Sequence, residues 1–138
     1  MPLTKPEDIK RLLESTKTVA VVGYSDKPDR PSNDVTMKLK AAGYDVYPVN
    51  PTLPSTADLS VYPSLAAIPV AIDVVDVFRK PEAMPEVVEE AIAVGAKAVW
   101  MQLGIVNDEA ARRAEEAGLQ VVMDRCMKVE TRRLIHKP

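Results

Sequence analysis

A chain of 138 residues with 46% hydrophobic and 28% charged side chains has the balance of a globular protein rather than a disordered one, and suffices for one domain with a full core. Eighteen Lys and Arg against twenty Asp and Glu give a formal net charge of −2, which argues against a general nucleic-acid footprint. The single cysteine, Cys126, permits no internal disulfide and suits a reducing cytoplasm; the first residues lack the apolar stretch of a secretory leader, and no apolar run is long enough to span a bilayer.

Thr4 and Glu7 have capping-box spacing, and Ile9, Leu12 and Leu13 follow on one helical face, so a short helix is expected before Lys17. Thr18 to Val22 is a continuous apolar run of the kind a strand covered on both faces requires. It ends at Gly23-Tyr24-Ser25, and a helix is expected to start at Ser32 or Asn33, with Ser32 as its N-cap. This helix, from about Asp34 to Ala42, turns Val35, Leu39 and Ala42 inward, and Gly43 suits its C-terminal turn. A second strand, Asp45 to Val49, runs into Asn50-Pro51. Residues 52–69 read as loop with a turn of helix near Ser64–Ala67, because Pro54, Pro63 and Pro69 punctuate them.

Ala71 to Phe78 reads as a third strand, apolar except for Asp73 and Asp76, which read as hydrogen-bonded structural groups. A helix follows from Pro81 or Glu82 to Val94, with Pro85 in its first turn. Ala98 to Met101 is a fourth strand. Asp108 to Ala117 is a helix with an alanine face (Ala110, Ala111, Ala114, Ala117), ended by Gly118. Leu119 to Met123 is a fifth strand, and Lys128 to Ile135 a last helix. Strands alternating with helices of about ten residues indicate βαβ units. The right-handed crossover rule then gives an α/β, Rossmann-like, doubly wound parallel five-stranded sheet with helices on both faces.

Ligands of such sheets bind beyond the carboxyl ends of the strands. A glycine turn leading to a helix N-terminus after the first strand offers free N–H groups and the positive end of the helix dipole to a phosphate, with Arg30 as a forked donor. Only Gly23 of the G-x-G-x-x-G pattern is present, and the second strand ends in Asn50 where an Asp or Glu would bind an NAD ribose; both count against NAD. Phe78, the only phenylalanine, stands at a strand end, where it can pack in the core or wall an adenine; Arg79 and Lys80 follow it.

Five ordered motifs carry a family resemblance: Val19-Ala20-Val21-Val22-Gly23, Gly43-Tyr44 through Tyr47-Pro48-Val49-Asn50-Pro51, Ile72-Asp73-Val74-Val75 through Phe78-Arg79, Gly95 through Gln102, and Asp124-Arg125-Cys126. With them the chain resembles the small coenzyme A-binding proteins whose fold matches the N-terminal domain of the succinyl-coenzyme A synthetase alpha subunit, over about Thr18 to Arg133. The resemblance implies coenzyme A, free or acylated, as ligand. It implies that Gly23, Tyr24 and Ser25 line the pyrophosphate and pantetheine path, with Arg30 and Ser32 at the phosphates. Val49, Asn50 and Pro51 would border the adenosine on one side, and Val77, Phe78, Arg79 and Pro81 on the other. Gln102, Leu103, Gly104 and Ile105 would lie toward the pantetheine arm. One departure from the family is that Thr52 to Thr56 carry no charge, which leaves a 3′-phosphate contact to Arg30, Arg79 or Lys80.

No catalytic residue is assigned. His136 reads as a solvated tail residue, and Cys126 as an inert, partly buried thiol without a histidine placed to act as its base. Binding without catalysis is therefore the leading expectation, ahead of acyl transfer through Cys126; the sequence does not separate it from a coenzyme A-sensing module.

Overall fold

The computed structural model describes residues 1–56 and 58–135; His136 lies outside them. Five strands, β1 (Thr18–Val22), β2 (Asp45–Val49), β3 (Val74–Val77), β4 (Ala98–Met101) and β5 (Gln120–Val122), form one sheet in the order β2-β1-β3-β4-β5. All pairs are parallel. The helices are α1 (Pro6–Ser15), α2 (Pro31–Ala41), α3 (Met84–Ala93), α4 (Asp108–Glu116) and α5 (Met127–Ile135). Side chains alternate across each strand, so the sheet is covered twice. Val75, Val77, Val99 and Met101 face a core with α3 and α4, whereas Val19, Val21, Val74 and Trp100 face one with α1, α2 and α5.

Several element ends differ from the sequence expectations. Both α1 and α2 begin at a proline, Pro6 and Pro31, and neither has a side-chain cap; the N-cap positions are Lys5 and Arg30. The Thr4–Glu7 capping box and the Ser32 N-cap are therefore replaced by proline, whose fixed φ suits the first helical position and whose missing N–H costs the helix nothing there. Ala117 follows α4 and is exposed, so only Ala110, Ala111 and Ala114 are buried. Pro81–Ala83 is a 3-10 turn preceding α3, and Leu65–Ala67 is another. The segment after β2 is tied back to the sheet, with Tyr62 N–H donating to Pro48 O and Asn50 N–H to Tyr62 O, both at 2.9 Å.

Strand β3 starts at Val74 because Asp73 turns its carboxylate to the head of β1. Asp73 Oδ2 accepts from Lys17 N–H at 2.8 Å and Thr18 N–H at 3.1 Å, and Oδ1 lies 3.3 Å from Lys97 Nζ. Partial burial opposes its ionisation, but these donors outweigh burial and hold its pKa below the usual value. Asp73 is the hydrogen-bonded structural group expected of it. Asp76 is not. It is fully buried in β3, in register with Val21 and Trp100, and neither carboxyl oxygen has a hydrogen-bond partner. A buried carboxylate without donors is far costlier than the neutral acid, so desolvation raises its pKa well above 3.8.

A carboxyl whose pKa is raised by folding favours the folded state most below its unfolded pKa, and that advantage is lost as pH rises through the folded pKa. Urea unfolding of Asp76→Asn and of the wild-type protein, followed from about pH 3.5 to about pH 8, should therefore diverge. The wild-type protein loses stability relative to the variant as pH rises above the ordinary carboxylate range. Parallel pH profiles would contradict a neutral Asp76.

Candidate functional site

Strand order reverses at β1, whose neighbours β2 and β3 lead the chain to opposite sides of the sheet. The crevice beyond the carboxyl ends of β1 and β3 is thus the topological switch point. Gly23 stands there with φ +87°, and a Cβ on it would lie 2.6 Å from the carbonyl oxygen of Phe78. Phe78 N–H in turn donates to Val22 O at 2.8 Å. The two strand ends therefore press backbone against backbone, and only a residue without a side chain fits between them.

The loop after Gly23 is held from three sides. Gly23 and Tyr24 N–H both reach Val49 O at 3.3 Å. Asn50 Nδ2 donates to Tyr24 O at 2.8 Å, while Asn50 Oδ1 accepts from Thr52 N–H at 2.9 Å and Thr52 Oγ1 at 3.0 Å. From α2, Ser32 Oγ accepts Ser25 N–H at 3.0 Å, and Asn33 Nδ2 donates to Ser25 O at 3.1 Å and Tyr24 Oη at 3.2 Å. The Tyr24 side chain is buried, and desolvation raises its pKa against the opposing hydrogen bond from Asn33.

These bonds change what the loop can offer an anion. The N–H groups of Gly23, Tyr24 and Ser25 already have protein acceptors, and those of Asn33 and Asp34 bond to Arg30 O at 3.1 Å. Pro31 has no N–H. The converging free amides expected from sequence are thus reduced at the start of α2 to that of Ser32, and the positive charge at the rim belongs to side chains. Among the described residues Arg30, Arg79 and Lys80 have no ion-pair partner. An unpaired exposed cation keeps its capacity to meet a phosphate.

Two cavities open at the switch point. The first, of about 890 Å³, is lined by Ser25, Arg30 and Ser32 on the β1–α2 side and by Phe78, Arg79, Lys80 and Pro81 on the β3 side. Gln102, Leu103, Ile105 and Cys126 from the β4 and β5 ends also line it. The second, of about 450 Å³, is lined by Val49, Asn50, Pro51 and Leu65 together with Glu86, Val87 and Glu90 of α3. Gly23 and Arg79 line both, so the cavities adjoin. The larger falls within the roughly 300–1,000 Å³ typical of small-molecule sites.

Of the residues singled out from sequence, Tyr24, Val77 and Gly104 line neither cavity. Val77 is wholly buried in the α3–α4 core, so its side chain cannot border a ligand. Gly104 is tied outside, its N–H donating to Asp124 Oδ1 at 2.7 Å. Phe78 and Pro81 are separated from Asn50 and Pro51, the former in the first cavity and the latter in the second. Half-buried Phe78 both packs on the α1–α2–α5 core and forms cavity wall. Gln102 is buried, with Oε1 accepting Met127 N–H at 3.0 Å, so it joins β4 to the start of α5.

Sequence reasoning missed Lys128, Asp34, Glu86 and Glu90 as cavity walls. Lys128 Nζ bonds Asp34 Oδ2 at 2.7 Å, which lowers the Asp34 pKa. Their signal was helical phase: Glu86 and Glu90 are four apart, on one face of α3.

With this geometry in view, comparison with known proteins is decisive for the family. The profile of the CoA binding domain family matches residues 17–132. The chain belongs to that family. It is 43% identical over 122 residues to the uncharacterized protein YneT of Bacillus subtilis (strain 168), covering 88% of this chain and 90% of that one. A solved structure from Pyrococcus horikoshii OT3 superposes with a TM-score of 0.92 at 46% identity, over 98% of this chain and 96% of its own. The acetate–CoA ligase [ADP-forming] II of Archaeoglobus fulgidus is 31% identical over 101 residues; the match covers 72% of this chain and 15% of the ligase. A dinucleotide-forming acetyl-coenzyme A synthetase 1 from Ca. Korarchaeum cryptofilum, solved with phosphate and ADP, gives a TM-score of 0.71 at 26% identity, over 83% of this chain and 26% of the synthetase.

Gly23→Ala tests the junction. The left-handed backbone alone costs an L-residue about 1–2 kcal/mol, and the approach to Phe78 O adds to it. The thermal midpoint should fall by several degrees (roughly 4–8 °C per kcal/mol for a domain of 60–100 residues, less for a longer one). An unchanged melting curve would show that the two strand ends can separate without cost.

Proposed function

We propose that this protein is a coenzyme A-binding domain whose ligand, free or acylated, lies across both cavities, and that it binds without catalysing a reaction of its own. The observation that carries this reading is the pair of adjoining cavities at the switch point, with Arg30, Arg79 and Lys80 unpaired around the larger. The family supports it, and so do the ligase and synthetase relatives, whose names place coenzyme A in their chemistry. In this reading the diphosphate lies by Ser25, Arg30 and Ser32 at the positive end of α2. The adenosine enters the second cavity beside Val49, Asn50 and Pro51. The pantetheine arm crosses Phe78, Arg79 and Pro81 toward Gln102, Leu103 and Ile105. Tyr24, Val77 and Gly104 act from behind, by holding the loops that form the walls.

Cys126 lines the first cavity and favours one second reading, acyl transfer to its thiol. Intact mass after incubation with acetyl-coenzyme A decides between the two: no adduct is expected, and a 1:1 acetyl adduct lost in Cys126→Ser would establish transfer.

Calorimetry tests the binding reading. Arg30→Ala should weaken coenzyme A binding roughly five- to tenfold at low ionic strength, with a smaller loss at high salt. Equal affinity of the variant and the wild-type protein would remove Arg30 from the site.

A further inference from the structure

Among the described residues, the two carboxyl oxygens of Asp76 are the only buried side-chain polar atoms without a hydrogen-bond partner. Their place in the sheet sets them beneath the first cavity. Asp76 of β3 stands in register with Val21 of β1 and Trp100 of β4, on the face covered by α1, α2 and α5. Two residues on, along the same strands and on the same face, come Gly23, Phe78 and Gln102, and all three line that cavity. The wholly buried carboxyl is thus one pleat, about 7 Å, below the cavity floor. No neighbouring group offsets a charge on it. The buried side chains of α1 are Ile9, Leu12 and Leu13. On α2, Asp34 pairs with Lys38 and Lys128; on α5 and just before it, Glu130 pairs with Arg125 and Arg133. Trp100 Nε1 donates to Arg125 O, Asn33 bonds Tyr24 Oη, Tyr44 Oη bonds Thr131, and Cys126 is a buried thiol. Burial alone therefore governs the proton on Asp76.

An ionised Asp76 would set a negative charge under a ligand that carries a diphosphate, and the two would repel through packed side chains rather than through water. We propose that Asp76 couples coenzyme A binding to a proton: the first cavity takes the ligand with Asp76 neutral, and ionisation of Asp76 weakens the complex from below. The inference rests on the reading that the diphosphate occupies this cavity. Coupling is reciprocal, so a charge that repels the ligand is one that the bound ligand suppresses. As pH rises through the Asp76 midpoint of the free protein, binding must take up a proton. Affinity then falls until the midpoint of the complex is passed. The fold thus holds a pH-sensitive control of affinity at a side chain that does not line either cavity.

Calorimetric titration of the full chain with coenzyme A, from about pH 6.5 to about pH 9 and in two buffers of different ionisation enthalpy, tests this on the wild-type protein and Asp76→Asn. Protons gained or lost by the ligand are common to both proteins. The wild-type protein should lose roughly three- to tenfold in affinity relative to the variant over this range, and should take up more protons on binding. Carbon-13 carboxyl resonances of the wild-type protein give a reading that needs no substitution. The Asp76 titration midpoint should rise by about half to one pH unit on saturation with coenzyme A, which is the same three- to tenfold. A midpoint unmoved by the ligand, or equal pH profiles and proton uptake in the two proteins, would overturn the inference. Failure of coenzyme A to bind at any pH would instead overturn the reading on which it rests.

Discussion

The close approach of Gly23 to the carbonyl of Phe78 governs the rest of the site. Strands β1 and β3 are neighbours in a parallel sheet whose order reverses at β1, so their carboxyl ends must splay to leave a crevice. They do so from direct backbone contact, with Gly23 in the left-handed region and no room for a Cβ. Because Gly23 and Arg79 lie on either side of that contact and both line the two cavities, the junction fixes how the cavities meet. A larger residue at position 23 would alter the fold and the site together.

Rigidity around that junction comes from hydrogen bonds that consume the polar backbone. Asn50 donates to Tyr24 and accepts from Thr52 and Leu53, and Ser32 and Asn33 reach back from α2 to Ser25 and Tyr24. The consequence is a division of labour. Backbone amides and small polar side chains hold the shape, and in the proposed function the cations on the rim supply attraction for an anion. Charge-assisted recognition of this kind is screened by salt, whereas the loop that presents it is ordered before a ligand arrives.

Much of this was legible in the sequence, and the reasons are physical. Largely apolar runs at 18–22, 71–78 and 98–101 demand a sheet buried on both faces, although only 74–77 of the second run is strand, and the helices between them carry their periodicity plainly. The rim residues follow from topology, since every loop after a strand reaches the same edge. Helix starts were less legible: Thr4 and Ser32 have the chemistry of caps, but Pro6 and Pro31 occupy the first helical position and set the boundary. Asp76 was misread because its position in β3 fixes its burial, while nothing in the local sequence says whether a donor will face it from another element. Lys128 and Asp34, 94 residues apart, meet only through the packing of α5 on α2.

The central claim is that one ligand spans both cavities. Backbone amide chemical-shift mapping during titration with coenzyme A tests it most directly. The account predicts one saturable set of shifts at Ser25 to Ser32, Asn50 to Leu65, Phe78 to Arg79 and Gln102 to Ile105, stronger than any produced by NAD at equal concentration. Shifts confined to one cavity, or larger for NAD than for coenzyme A, would contradict it.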